Sequence, residues 1–211
     1  VGVRRVVFLV ESHENMDGTV QEALKEFFSA EGNDFVTAVD EKNIIVVKEL
    51  APDDGYEQVQ KIADSMLDML SSELMLSAKI SYGTIVNEIK EVSRSYKEAK
   101  MALEVGKIFF VERHIVAYNA LGIGRLIYQL PIPLCKMFIK EIFAYVSPDD
   151  FDEETLETIA KFFENNLNVS ETSRQLFIHR NTLVYRLDKL DRATGLDLRV
   201  FDDAITFQIA L

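Results

Sequence analysis

The sequence predicts an α+β molecule in two parts: an α/β sandwich with a mostly antiparallel sheet, then an all-α segment built around a helix-turn-helix. Three observations predict it. Residues 1 to about 120 alternate β-branched apolar runs with stretches of helical apolar spacing, in the order βαββαβαβ. Residues 131–147 carry apolar side chains at helical intervals. Residues 170–190 read as two short helices joined by a tight turn. At 211 residues and 48% hydrophobic content, the chain can build one large or two modest cores.

The elements follow in order. Val3 to Val10 is an apolar, β-branched strand. Thr19 to Ala30 repeats apolar residues at Val20, Leu24, Phe27 and Phe28, and Gly32-Asn33 ends that helix. Phe35 to Val39 and Ile44 to Leu50 are strands around the turn Asp40-Glu41-Lys42-Asn43. After the loop Pro52-Asp53-Asp54-Gly55, Val59, Ile62, Ala63, Met66, Leu67 and Leu70 mark a long amphipathic helix. Ala78 to Gly83 is a strand. Val92 to about Phe110 is a helix with Tyr96, Ala99 and Leu103 inward and Arg94, Lys97 and Lys100 outward. Ile115 to Tyr118 is a short strand. In the helix over 131–147, Leu134, Phe138, Ile142 and Tyr145 share one face, and it either bridges the two parts or dimerises. Pro148-Asp149-Asp150 then breaks the chain. The expected division is 1–130, a connecting helix and linker over 131–150, and 151–211.

The stretch from Ser170 to Leu190 carries the most chemistry. Asn168 and Glu171 have the N-cap and N3 spacing of a capping box, which starts the first helix. Ser173 is small, as packing against a crossing helix demands. Leu176 and Ile178 anchor the turn, and His179 stands where the second helix needs an N-cap. Leu183, Leu187 and Leu190 form its apolar stripe at i, i+4 and i+7. At roughly 100° per residue, Asn181, Thr182, Tyr185, Asp188 and Lys189 point away from that stripe, with Arg180 and Arg186 flanking it.

Those residue types suit duplex DNA. Asn pairs bidentately with adenine and Arg with guanine, while Thr, Lys and Tyr commonly hold phosphates. An ordinary solvated helix also carries Arg and Lys, so charge context decides. Arg174, Arg180, Arg186, Lys189 and Arg192 against Asp188 and Asp191 make residues 172–192 net +3 in a chain of net −12. The overall negative charge argues against non-specific coating of nucleic acid, not against a local reading face. Arg180, Asn181, Thr182, Tyr185, Arg186 and Lys189 are therefore the candidate DNA-contacting residues, with Arg186 and Lys189 expected on phosphates.

Other chemistry is missing from the sequence. His13, His114 and His179 lie at no metal-ligand spacing from one another or from Cys135. Ser12-His13-Glu14 holds triad residue types, but adjacent residues cannot converge as a triad does. Asp53-Asp54 and Asp149-Asp150 read as loop and cap residues, and Asp40-Glu41 as a hairpin turn rather than a Mg²⁺ site. No phosphate-cradling glycine loop is present. No run of about 18 apolar residues exists to span a membrane. The single Cys135 fits a reducing cytoplasm. Starting at Val1 without a methionine, the chain reads as a fragment of a longer protein.

The C-terminal region resembles the corresponding domain of the PucR and carbohydrate-diacid-regulator (CdaR) family of bacterial transcription factors. Thr155-Leu156, Phe162-Phe163, Asn165, Asn168-Val169, the run Leu176 to Leu183, Tyr185-Arg186-Leu187, Thr194 to Leu198 and Ala210-Leu211 carry the resemblance. Ser173 departs from the family's usual Ala, adding a hydroxyl that can bond back to a carbonyl one turn earlier. Residues 1–130 resemble the degenerate GGDEF-like, cyclase-palm domain that precedes it, through Ser81-Tyr82-Gly83 and Ser95 to Leu103. The cyclase signature would fall at Val39 to Asn43, where the paired glycines are missing, so no cyclase activity is expected. The resemblance implies a non-enzymatic regulator without cofactor. It implies double-stranded DNA as partner, a homodimer, no membrane, and a metabolite effector sensed by a domain outside this chain. The rival reading is a nucleotide-sensing cyclase-fold module with a helical dimerisation tail. The GGDEF-like part could also be a purely structural scaffold.

Overall fold

A computed structural model describes residues 2–28, 33–144 and 146–211. The predicted helix end at Ala30 and Gly32, and Tyr145 of the predicted apolar face, lie outside the described residues. Two units follow one another along the chain, Val1–Gln129 and Leu130–Leu211.

The first unit is organised around β1 (Arg4–Ser12), whose residues Val6 to Val10 are all buried. A strand apolar on both faces must be central and covered on both sides. Val6, Phe8 and Val10 pack with α1 (Gly18–Phe28) and α2 (Tyr56–Ser72) through Val20, Leu24, Val59, Ala63, Met66 and Leu70. Leu9 packs on the other side with Ala99 and Leu103 of α3 (Val92–Phe109). The remaining strands are β2 (Phe35–Ala38), β3 (Asn43–Leu50), β4 (Ala78–Tyr82) and β5 (Ile115–Ala117). Their order is β2-β3-β1-β4-β5, antiparallel except for β4 with β5. The short helix α4 (Gly124–Tyr128), undelimited from sequence, closes the unit.

The residues behind the GGDEF-like resemblance prove to be a clasp between β4 and α3. The buried Ser95 hydroxyl accepts the Val7 N–H (3.1 Å) and donates to the Thr84 carbonyl (2.8 Å). It thus satisfies a strand donor where β4 diverges from β1. Ser81, also buried, donates to the Ala99 carbonyl at 2.6 Å. Glu98 accepts both the N–H and the hydroxyl of Thr84. Gly83 is required by proximity: a Cβ there would lie 2.0 Å from the Ser95 carbonyl oxygen.

The β2–β3 turn is closed by its own side chains. Asp40 accepts from the Lys42 N–H (2.7 Å) and the Asn43 amide (3.0 Å). The Asn43 amide, then the Lys42 N–H, hold the Asp40 carboxyl below its usual range.

The second unit is all helical: α5 (Ile132–Ile142), α6 (Glu153–Glu164), α7 (Val169–Gln175), α8 (Arg180–Thr194) and α9 (Phe201–Ala210). Its core gathers Ile159 and Phe162 of α6, the three leucines of α8, Leu198, and Phe207 and Ala210 of α9. α5 is shorter than the predicted 131–147. It ends at Ile142 because Phe143 leaves helical geometry (φ −103°, ψ 47°) and buries its ring. That ring meets Phe207 edge-on, centroids 5.4 Å apart. Phe138 and Ile142 pack on this core, whereas Leu134 is 44% exposed. No described helix is long and apolar enough to cross a membrane.

Candidate nucleic-acid interface

α7 and α8 form the helix-turn-helix, and local chemistry fixes each end. The Asn168 side chain accepts the Glu171 N–H at 3.0 Å and starts α7. The reciprocal half of the expected capping box is not made. The Glu171 carboxylate turns instead to Arg174 (2.5 Å) and Gln175 (2.8 Å). The Arg174 ion pair is the main reason its carboxyl titrates below the usual range. Ser173 is buried, and its hydroxyl donates to the Ser170 carbonyl at 3.0 Å. His179 caps α8, its Nδ1 accepting the Asn181 N–H at 3.2 Å. Gly195, in the left-handed region at φ +76°, ends α8.

The turn between them carries an unusual residue. Phe177 N–H donates to the Arg174 carbonyl (3.2 Å) and Ile178 N–H to the Ser173 carbonyl (3.0 Å). That is the double bond pattern of a Schellman C-terminus, whose left-handed position glycine normally fills. Here it is Phe177, at φ +54° and 95% exposed. For a residue with a Cβ this conformation costs about 1–2 kcal/mol. The sequence offered Phe177 only as part of a family-like run.

Leu183, Leu187 and Leu190 are buried, so the opposite side of α8 faces outward. Arg180, Asn181, Thr182, Tyr185 and Lys189 are all exposed. Among the described residues, no side-chain hydrogen bond or ion pair engages any of the five. Polar side chains on one helix face that make no intramolecular hydrogen bond or ion pair are available for a ligand. Thr182, Tyr185 and Lys189 also line a groove of about 520 Å³, to which the α6 end contributes Asp152, Glu154 and Thr155. Asp152 and Glu154 make that side of the groove acidic.

Arg186 is the exception among the six candidates. It does not stand free: its guanidinium donates to the buried Thr158 hydroxyl (2.9 Å) and to the Glu154 carboxylate (2.5 Å) of α6. The Thr158 hydroxyl in turn donates to the Glu154 carbonyl at 2.8 Å. With one-fifth of its side chain exposed, Arg186 ties α8 to α6 rather than extending outward. Asp188, expected on the outward face, is half-buried and bridges to Arg199 at 2.8 Å. Arg199, unnoticed in the sequence, also binds Asp197 at 2.7 Å, so it fastens α8 to the loop before α9. Helical periodicity could not show either pairing, because both partners come from other elements. Among the described residues, no cluster of three or more His, Cys, Asp or Glu could hold a metal.

Residues 155–211 match the PucR C-terminal helix-turn-helix domain and residues 1–105 the GGDEF-like domain. The chain is 28% identical to the carbohydrate diacid regulator of Escherichia coli (strain K12), over 98% of this chain and 56% of that protein. It is 25% identical to the purine catabolism regulatory protein of Bacillus subtilis (strain 168), over 75% of this chain and 31% of the other. It is 27% identical to the DNA-binding transcriptional activator AdeR of the same organism, over 82% and 42%. The chain thus spans 31% to 56% of these relatives' lengths. With a GGDEF-like domain leading into a PucR-type helix-turn-helix, the chain belongs to the PucR and carbohydrate-diacid-regulator family of transcription regulators.

Proposed function

We propose that this chain is the DNA-binding end of a cytoplasmic transcription regulator in which α8 enters the major groove. The observation that carries the reading is the set of five exposed, unengaged side chains on α8 opposite its buried leucine stripe. Its relatives include a carbohydrate diacid regulator and a purine catabolism regulator. We extend to this chain the role of controlling a catabolic pathway in response to a metabolite sensed by a domain outside it. In this reading residues 1–130 are the regulatory module, 131–150 the connection and 151–211 the DNA-binding domain.

A single α8 reaches only a few base pairs, so recognition needs a homodimer that sets two copies about 34–36 Å apart along one face of the duplex. Footprinting on the gene's own upstream region tests this; protection of two half-sites a whole number of turns apart is expected. Asn181→Ala should flatten base preference at one position of each half-site. Lys189→Ala should weaken binding to all sequences and reduce the salt slope by about one. A monomer binding one half-site with full specificity would defeat the dimer reading.

The GGDEF-like domain acts here as a scaffold without cyclase activity. The supporting observation is the β2–β3 turn, which lacks paired glycines and is filled by the Asp40 side chain bonding Lys42 and Asn43. Incubation with GTP and Mg²⁺ or Mn²⁺ should give no cyclic dinucleotide; product above a no-enzyme control would overturn this.

A further inference from the structure

Phe177 is among the most exposed large apolar side chains in the chain, at 95%, and holds a left-handed backbone that a glycine would adopt without strain. Burial does not account for the phenyl group, and the turn would form more readily without it. A residue kept in a disfavoured conformation with its side chain in water is explained by something it contacts outside the domain. The neighbours indicate what. Leu176 and Ile178 turn inward to the core, so the residues flanking Phe177 in sequence add no exposed apolar surface beside the ring, as a protein-docking surface would. Arg174, Gln175, His179 and Arg180 around it in sequence are polar or cationic and exposed. Tyr185, the other strongly exposed aromatic of the motif at 62%, stands on α8 one turn before Lys189. Isolated aromatics set among cations suit nucleic acid, where the charges meet phosphate and the ring meets base or sugar.

We propose that Phe177 is a DNA-contacting, specificity-determining residue, its ring packing on a thymine C5-methyl at the edge of the major groove beside the first turn of α8. The inference rests on the DNA-binding reading above. Two residues separate Phe177 from Arg180, at most roughly 11 Å of chain, so the ring and the helix N-terminus meet base pairs within about three steps of each other.

The test compares the full-length wild-type protein with Phe177→Gly and Phe177→Asn on DNA fragments tiled across its own upstream region. Both substitutions suit the left-handed backbone, so folding is retained, and Phe177→Gly should raise Tm. Each should weaken binding about tenfold, the scale of losing a large apolar contact. The salt slope should not change, because no phosphate contact is lost. Replacing thymine by uracil, one position at a time, should find one site per half-site where wild type loses affinity and Phe177→Gly does not. Unchanged affinity in both variants would overturn the proposal. So would the absence of any thymine at which the two proteins respond differently, or a loss confined to self-association, which would assign the ring to a protein partner. If the wild type footprints no fragment, it is the DNA reading itself that falls.

Discussion

Gly83→Ala should unfold the first unit at a temperature roughly 10 °C or more below wild type. The new methyl would stand 2.0 Å from the Ser95 carbonyl oxygen, 2.7 Å from its carbonyl carbon and 2.7 Å from its hydroxyl. Two of these atoms are helix backbone, so no rotamer change relieves the clash. α3 must retreat from β4 as a body. That movement breaks the Ser95 bonds to Val7 and Thr84 and the Ser81 bond to Ala99. Overpacking and a buried strand N–H left without a partner together cost about 3–5 kcal/mol. For a domain of about a hundred residues each kcal/mol moves Tm by roughly 4–8 °C. Hydrogen exchange gives the local readout: the Val7 amide should lose protection before its neighbours in β1. A variant melting within a degree of wild type would show that α3 and β4 are not held by this clasp.

Arg186→Ala should weaken binding to every DNA sequence without changing its salt dependence. The guanidinium is committed to Thr158 and Glu154, so it holds α8 at its seat on α6 rather than neutralising a phosphate. Removing it should cost the second unit about 1.5–3 kcal/mol, the range for hydrogen bonds to a charged group. The lower end is expected, because Glu154 is two-thirds exposed and water screens that half of the interaction. Arg186→Lys should recover little, since one ammonium cannot serve both partners as the planar fork does. The contrast with Lys189→Ala is diagnostic: that variant should lower the salt slope by about one and leave stability alone. Should Arg186→Ala lower the slope equally with stability intact, the guanidinium leaves Thr158 for a phosphate when DNA binds.

In the helix-turn-helix the features legible in the sequence are the local ones. Asn168 and His179 cap helices that begin next to them, and their bonds span only two or three residues. The leucine stripe of α8 follows from helical geometry alone. The β2–β3 turn was legible in the same way, since Asp40 closes it with Lys42 and Asn43. Glu171 shows the limit of even local inference. Its position allowed a capping box, but an arginine three residues on offered a charged partner, and the ion pair won.

By itself, then, the sequence determined the order of strands and helices from β1 to β5, the residues that cap α7 and α8, and most of the outward face of α8. Each of these depends on residues within a turn or two of one another. Only the tertiary structure decided which residues of that face stand free. Arg186 is claimed by a threonine 28 residues away, and Asp188 by Arg199. Ser95, one residue of a motif in sequence, gains its role from a strand donor 88 residues distant. Phe177, in sequence only one residue of a family-like run, is set apart by the left-handed turn that exposes its ring. Periodicity assigns a side chain to a face of its own element, but the partner that face meets is set by how the elements pack.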